Sequence, residues 1–343
     1  MKKENPIMKI IIIGNGPAGF YAAKKIRTLI PESSVAIIDS DELPLYTKLR
    51  LPDFIAGKVE EKKLFLAKPE DYEKSGIETH FGTCITNINT KEKKVVTSSC
   101  EVFHYDKLII ATGAKAFKPI IKGVSEDGVF TLRTLADAKA IIEKTKTSNK
   151  AAVIGGGLLG IELANALNSK GMAVDIIEFF PRLLPKQLND VEAALLLKKL
   201  ETPTFSFYLD RITTEIISHD AALILKTNRQ DEIHADFVVV SAGIKTEINL
   251  AENCGIKTER GIVINNRFET SAPDTFAIGD CAQLDGKIFG LWMAAKEQGE
   301  ALADILAGKR ESYTHSPFNP MLKVNGISLD EIRKEAGVTE IRN

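Results

Sequence analysis

The sequence predicts an α/β protein built on open parallel sheets, and three observations make that prediction. An apolar strand runs directly into a glycine turn and a helix in KIIIIGNGPAGFYAAKKI, Lys9 to Ile26. The same arrangement returns in KAAVIGGGLLGIELANAL, Lys150 to Leu167. Each is followed by a second strand that ends in an acid, VAIIDS at Asp39 and VDIIEFF at Glu178. Strand, glycine turn, helix and a carboxylate roughly 20 residues on form the pattern of a Rossmann-like dinucleotide-binding unit. The glycines have separate parts: Gly14 makes the turn, Gly16 lets backbone approach phosphate, and Gly19 lets the helix pack on the strand. Gly155, Gly157 and Gly160 repeat them. One such turn is a weak signal, because glycine turns also arise for steric reasons. Two with their strands and acids are far stronger, and two dinucleotides in one chain imply electron transfer between them.

At 343 residues the chain has room for two to three domains of ~100–200 residues. A net charge of −1 with 27% charged residues calls for neither nucleic acid nor a membrane surface. No apolar run reaches the ~18–20 residues of a spanning helix. The N-terminal lysines lead straight into the first strand with no cleavage site, which argues against a signal peptide and for a cytoplasmic protein. MKKENPI reads as an extension ahead of a core beginning near Met8. Cys84, Cys100, Cys254 and Cys281 are scattered, so neither a metal site nor a neighbouring redox disulfide is expected. Cys281, beside Asp280, is the one thiol placed in a candidate ligand loop.

After Asp39 the segment SDELPLYTKLRLPDFIAGK is interrupted by Pro44 and Pro52 and reads as a loop. Loops leaving the carboxyl ends of strands line the ligand crevice, so Tyr46, Lys48 and Arg50 are candidates to touch a nucleotide. The alternative is a solvated basic turn with an aromatic anchor. PEDYEKSG suggests a short helix, and IETHFG, ITNIN and KVVTSS short strands. KLIIATGA has the character of a buried parallel strand. A second complete unit follows over 117–244, with helices in TLADAKAIIEKTK and VEAALLLKKL and strands in FSFYL, ITTEII, AALILK and DFVVVSAG. The tail has short strands, a turn at Gly279 and Asp280, and a helix in FGLWMAAKEQGEALADILAG, with no Rossmann core of its own. It most simply completes the first domain. The expected plan is a discontinuous domain over 1–116 and 245–309, an inserted domain over 117–244, and a short remnant over 310–343.

Four ordered signals, GNGPAG, LIIATGA at 108–114, IGGGLLGIE at 154–162 and TFAIGDCA at 275–282, make the sequence similar to the FAD-dependent pyridine nucleotide-disulfide oxidoreductase superfamily over nearly its whole length. YTKLRLPDFIAGK resembles the corresponding segment of NADH:rubredoxin reductases and of the flavin domain of the nitrite reductase large subunit, and FNPMLKVNGISL resembles the former group. The resemblance implies a glutathione-reductase-like fold, an FAD domain with an inserted NAD domain and a truncated C-terminal interface region. It implies that Gly14, Gly16, Pro17, Ala18, Gly19 and Asp39 hold the ADP half of FAD. Ala111, Thr112 and Gly113 would form a turn beside it, and Gly279 and Asp280 would bind the ribitol or pyrophosphate linker. From the residues alone, Asp280 is equally an N-cap or Asx turn. Gly155, Gly157, Leu158, Gly160, Glu178 and Gly243 would hold NADH. A carboxylate at Glu178 repels a 2′-phosphate, so NADPH is disfavoured, while Arg182 nearby keeps it open. Trp292, at the start of the last long helix, would pack near the flavin or serve as a core aromatic, and that helix N-terminus can stabilise charge on the reduced flavin.

In related flavoproteins a glutamate at the position of Glu162 faces the flavin and pairs with a lysine. Glu162 could equally serve the helix dipole, and its partner here, Lys48 or Arg50, is open because Leu51, Pro52 and Asp53 depart from the related L-S-K pattern. Residues 40–60 contain no cysteine, unlike the oxidases and peroxidases of the superfamily, and no cysteine pair is present to relay electrons as in the disulfide reductases. The expected function is therefore passage of hydride from NADH to FAD and of single electrons to a small carrier, most simply rubredoxin. Direct reduction of oxygen by an NADH oxidase and service as a flavoprotein subunit of a larger complex such as nitrite reductase are the alternatives. Larger relatives add an interface domain of about one hundred residues, the size of a small domain. The short remnant here points to an exposed docking face and a monomer.

Overall fold

Continuous apolar runs become inner strands of parallel sheets, because a strand covered by helices on both faces has no solvent side to alternate toward. The computed structural model describes residues 7–220, 222–317, 321, 322, 324 and 326–337, and they cluster into two compact units. The first holds the described residues of Met1–Thr47, Phe65–Lys115 and Lys245–Phe318. The second holds those of Lys48–Leu64, Ala116–Ile244 and Asn319–Asn343. Six residues of the N-terminal extension, and parts of the C-terminal remnant and of FNPMLKVNGISL, lie outside the described residues.

In the first unit a parallel sheet runs in the order Thr275–Ala277, Lys107–Ile110, Lys9–Ile13, Ser34–Asp39, Ile77–Phe81. Ile11 is in register with Ala36 on one side and Leu108 on the other. The strand Lys9–Ile13 buries all its isoleucines, as its unbroken apolar run requires. Helix Pro17–Leu29 starts with proline at a position whose N–H has no helical partner in any case. It packs against helix Trp292–Leu306 so closely that a Cβ on Gly299 would stand 2.3 Å from the Ala18 carbonyl oxygen. An antiparallel meander of Ile85–Asn89, Lys94–Thr97 and Val102–His104 precedes the return strand Lys107–Ile110.

The second unit repeats this plan. Its sheet runs Phe205–Tyr208, Ala173–Ile177, Lys150–Ile154, Phe237–Val240, Val129–Thr131. A meander of Thr213–His219, Ala222–Thr227 and Glu232–Ala235 again precedes the return strand. Helices Leu135–Thr145 and Asp190–Leu200 both open on capping boxes, Thr134 with Asp137 and Asn189 with Glu192, which mark their starts.

Two segments depart from the sequence reading. The supposed loop after Tyr46 contains a 3₁₀ turn, Lys48–Arg50, and a short helix, Leu51–Ile55. Pro52 does not prevent the helix because it sits in the first turn, where a proline removes no hydrogen bond. This segment also clusters with the second unit, although the sequence kept residues 1–116 together. Its helix packs on Leu135–Thr145 and Leu158–Ser169 with Leu51 and Ile55 buried, and Glu61 pairs with Lys139 at 2.8 Å. Within the C-terminal stretch, helix Leu329–Glu335 packs on Asp190–Leu200, where Lys199 pairs with Glu335 at 2.9 Å.

Candidate functional site

In the first unit, strand order reverses between Lys9–Ile13 and Lys107–Ile110, the place where open α/β sheets bind ligands. Gly14 stands there. Its φ is +112°, and a Cβ would lie 2.2 Å from the Ala111 carbonyl oxygen, so two strand ends can meet only through glycine. A Cβ on Gly19 would lie 2.0 Å from the Gly14 oxygen, which fixes glycine where helix meets turn. Gly16 is different. Its φ of −72° suits any residue, and, its own turn and helix backbone aside, no described atom lies within 4 Å of where its Cβ would be. It is the N-cap of Pro17–Leu29 and offers no side-chain cap. The turn thus presents open space in front of the first-turn N–H groups of Ala18 and Gly19, a cradle suited to a phosphate.

Asp39 closes the neighbouring strand. Its carboxylate accepts from the Asn15 N–H and, at 2.8 Å, from the Asp41 N–H. Asn15 is buried, and its side-chain oxygen accepts from the Tyr72 hydroxyl at 3.0 Å, which itself accepts from the Leu45 N–H at 2.9 Å. Burial, ahead of smaller contributions, pushes the Tyr72 phenol pKa up. At the next strand end the Thr112 hydroxyl donates to the Glu247 oxygen at 2.7 Å, and the Glu247 N–H returns a bond to Gly113 at 2.9 Å. Gly279 and half-buried Asp280 leave the edge strand in a 3₁₀ turn held by the buried Gln298, which accepts from the Gly279 N–H at 2.7 Å. Gly14, Gly16, Asp39, Ala111, Thr112, Gly113, Gly279 and Asp280 therefore gather at the carboxyl edge of one sheet. Trp292 opens the last long helix, half-buried, behind an N-cap with no side-chain bond. Cys281 is fully buried, its thiol reaching the Ile278 oxygen at 3.3 Å, and burial pushes its pKa up. Such a thiol is of the inert kind. Among the described residues, no group of three or more His, Cys, Asp or Glu side chains is placed to hold a metal ion, and no helix is long and apolar enough to cross a membrane.

The second turn copies the first. Gly155 has φ +121°, and its Cβ would lie 2.3 Å from the Ser241 oxygen; that of Gly160 would lie 2.0 Å from the Gly155 oxygen. Gly157, with φ −79°, is again an uncapped N-cap with no described atom within 4 Å of a Cβ, followed by Leu158 at the first helical position. Buried Glu178 accepts from the Gly156 N–H with one oxygen and from the Phe180 N–H at 2.8 Å with the other. Gly243 follows the return strand with φ +101°. Arg182 is held at 2.6 Å by Asp190.

Glu162 lies one turn into Leu158–Ser169 and lines a crevice with Leu49, Pro52, Asp53, Ala56 and Lys58. Arg50, one of the two cations considered as its partner, sits 3.5 Å from Asp53. Lys48 begins the adjoining 3₁₀ turn. Lys58, Asn15, Tyr72 and Gln298 were not singled out by the sequence. Only Asn15, in the middle of the glycine turn, carried a signal that could have found it. At both turns the residues present suit a dinucleotide, since Gly16 and Gly157 clear a space that packing and backbone conformation leave unexplained.

Comparison with known proteins agrees. The profile of the pyridine nucleotide-disulphide oxidoreductase family matches residues 8–299. The chain is 33% identical over its full length to the assimilatory nitrate reductase electron transfer subunit of Bacillus subtilis, covering 44% of that protein. It spans less than half the length of that protein and of the nitrite reductase subunits it also matches. It is 35% identical to the NADH-rubredoxin oxidoreductase of Clostridium acetobutylicum, over 94% of this chain and 80% of that one. The crystal structure of NADH:rubredoxin oxidoreductase from Clostridium acetobutylicum superposes with a TM-score of 0.79 at 32% identity, over 93% of this chain and 80% of that one. The chain therefore belongs to the pyridine nucleotide-disulphide oxidoreductase family, and membership implies FAD and NADH as its cofactors.

Proposed function

We propose that this chain is an NADH-dependent flavoprotein reductase that serves a small one-electron carrier of the rubredoxin kind. The observation that carries the reading is the pair of cleared helix N-termini at Gly16 and Gly157, each beside a carboxylate fixed by its own turn. In this reading the first unit's Gly14, Gly16, Ala18, Gly19, Asp39, Thr112, Gly113 and Asp280 hold FAD. The second unit's Gly155, Gly157, Gly160, Glu178 and Gly243 hold NADH. When bound, FAD supplies the conversion of a two-electron donor into single electrons. The chain's own contribution is placement and electrostatics: N–H groups neutralise the pyrophosphates, and Asp39 and Glu178 accept from ribose hydroxyls. Trp292 and the uncapped helix behind it would face charge on the reduced flavin. Glu162 and Lys48, both in the second unit, would contribute to the nicotinamide site. No protein group need act as a base.

The NADH-rubredoxin oxidoreductase named above supports the choice of acceptor, as does rubredoxin-NAD(+) reductase of Acinetobacter baylyi, 31% identical over 91% of this chain. A second reading, an electron-transfer subunit of a nitrate- or nitrite-reducing complex, is favoured by the match of this whole chain to 44% of the Bacillus subtilis subunit. Stopped-flow reoxidation of the NADH-reduced, FAD-loaded protein separates them. Rubredoxin much faster than oxygen supports the carrier reductase, and oxygen as the faster oxidant overturns it for an NADH oxidase. Slow reoxidation by both, with co-purification of a siroheme or iron-sulfur subunit, overturns it for the complex. Sedimentation that gives a dimer would remove the expectation of a monomer.

A further inference from the structure

The middle residue of the first glycine turn carries a side chain that the nucleotide reading does not use. Asn15 gives its backbone N–H to Asp39, and the second turn makes the same bond to Glu178 through Gly156, which has no side chain. The amide of Asn15 is therefore more than such a turn needs. It also stands directly before Gly16. Asparagine followed by glycine is the least durable of asparagine pairs, because no side chain keeps the next backbone nitrogen away from the amide carbon. Here the space around Gly16 is clear beyond its own turn and helix backbone, and no described group accepts from its N–H.

The amide itself is restrained. Asn15 is 6% exposed, its side-chain oxygen accepts from the Tyr72 hydroxyl at 3.0 Å, and its side-chain nitrogen reaches the Leu43 oxygen at 3.4 Å. Tyr72 is buried in turn, its hydroxyl set by the Leu45 N–H at 2.9 Å and its ring by Phe20 and Phe81, with centroids 5.2 and 5.4 Å away. The amide must give up these bonds before it can turn to the Gly16 nitrogen, and a buried polar group gives up its partners at a cost.

We propose that Asn15 is a deamidation site held closed by Tyr72, and that its conversion ends cofactor binding at the first turn. The second clause rests on that turn being the FAD site. In the reaction the Gly16 nitrogen bonds to the side-chain carbonyl carbon of Asn15, the amide nitrogen leaves as ammonia with the Gly16 proton, and a five-membered imide remains. Water opens either carbonyl of the imide, giving aspartate or isoaspartate, and nothing is oxidised or reduced. Either product puts a carboxylate where the amide faced the Leu43 oxygen, and adds negative charge to the turn that is to hold a pyrophosphate. Isoaspartate also adds a methylene to the backbone of a turn whose Gly14 and Gly19 fit only at contact distance. The second turn, with Gly156, has no such failure.

The test incubates the FAD-loaded full chain at mildly alkaline pH and follows two readouts, bound FAD and the mass of the tryptic peptide Ile10–Lys24, in which Asn15 is the only amide side chain. Asn15 in the wild-type protein is expected to convert at least about tenfold more slowly than in a synthetic peptide of the same sequence, and about fivefold faster in Tyr72→Phe than in wild type, the fold-change of one hydrogen bond. FAD should be released in proportion to conversion, and Y72F/N15G, which lacks the amide, should keep it. A wild-type rate equal to the peptide's, or a Tyr72→Phe rate equal to wild type, overturns the closed site. Loss of FAD from Y72F/N15G as fast as from Tyr72→Phe overturns deamidation as the cause. Fresh wild-type protein that binds no FAD overturns the FAD reading itself.

Discussion

The two glycine turns agree in all that a nucleotide needs and differ in how each turn is braced. Both have a positive-φ glycine against a neighbouring strand's carbonyl, a cleared N-cap glycine, and a middle residue whose N–H is taken by the acid. The middle residue is where they part. Asn15 is buried and linked through its side chain to Tyr72, whereas a Cβ on Gly156 would come within 2.7 Å of the Leu183 side chain, which is itself fully buried. One turn is held by a polar network, the other by an apolar plug. The units differ likewise in their fifth strand: Thr275–Ala277 comes from after the inserted unit, while Val129–Thr131 comes just before the second core. On the proposed reading, shared features mark the ligand's demands, and divergent ones mark what the fold can solve in more than one way.

The largest expected effect comes from breaking a shared feature that the backbone enforces. Gly14→Ala and Gly155→Ala each force a Cβ into a carbonyl at 2.2–2.3 Å and strain a positive φ. Each should cost at least about 3 kcal/mol, read as lost thermal stability even without cofactors. A variant of wild-type stability would show that the turns relax freely. Gly16→Val and Gly157→Val probe the shared feature that the fold does not enforce. With no described atom within 4 Å beyond the adjoining backbone, stability should change little. Purified Gly16→Val should lack bound FAD, and Gly157→Val should keep FAD while binding NADH more than tenfold more weakly, by roughly the loss of a charge-assisted contact. If both variants bind normally, the cleared spaces are not phosphate sites.

Next in size is the acid of the second turn. Glu178→Gln keeps the shape and removes the charge, so NADH affinity should fall roughly tenfold and the preference over NADPH should narrow. An unchanged preference would remove Glu178 from the ribose role.

Both sheets and both turns were legible in the sequence because each rests on local pattern: apolar runs, glycine spacing and a terminal acid. The Lys48–Leu64 segment was not, since a five-residue helix is too short to show a period and Pro52 looks like a breaker until its place in the first turn is known. Glu162 could be named, yet its crevice with Lys58 depends on which unit the segment joins, and no spacing records that. Asn15 and Tyr72 meet across 57 positions, a contact made only by folding.

That contact gives the finest test of the comparison, because the second turn has no such polar brace. Tyr72→Phe removes the donor to Asn15 and leaves the Leu45 N–H without its acceptor, at a cost of about 1 kcal/mol. The cost should depend on pH. Burial raises the phenol's pKa above its ordinary 10.0. The folded protein thus keeps a proton that the unfolded chain gives up. The stabilisation is fully present below pH ~10 and is lost as pH rises through the folded value. Urea unfolding between pH 8 and about 11 should show wild-type stability declining with alkali and the Tyr72→Phe variant declining less. Tyr105 and Tyr313, whose phenols are also raised by burial, belong to the same unit and leave a residual slope. Identical alkaline slopes in the two proteins would show that the Tyr72 phenol does not carry the proton linkage, and the first turn would then be braced by its packing, as the second is.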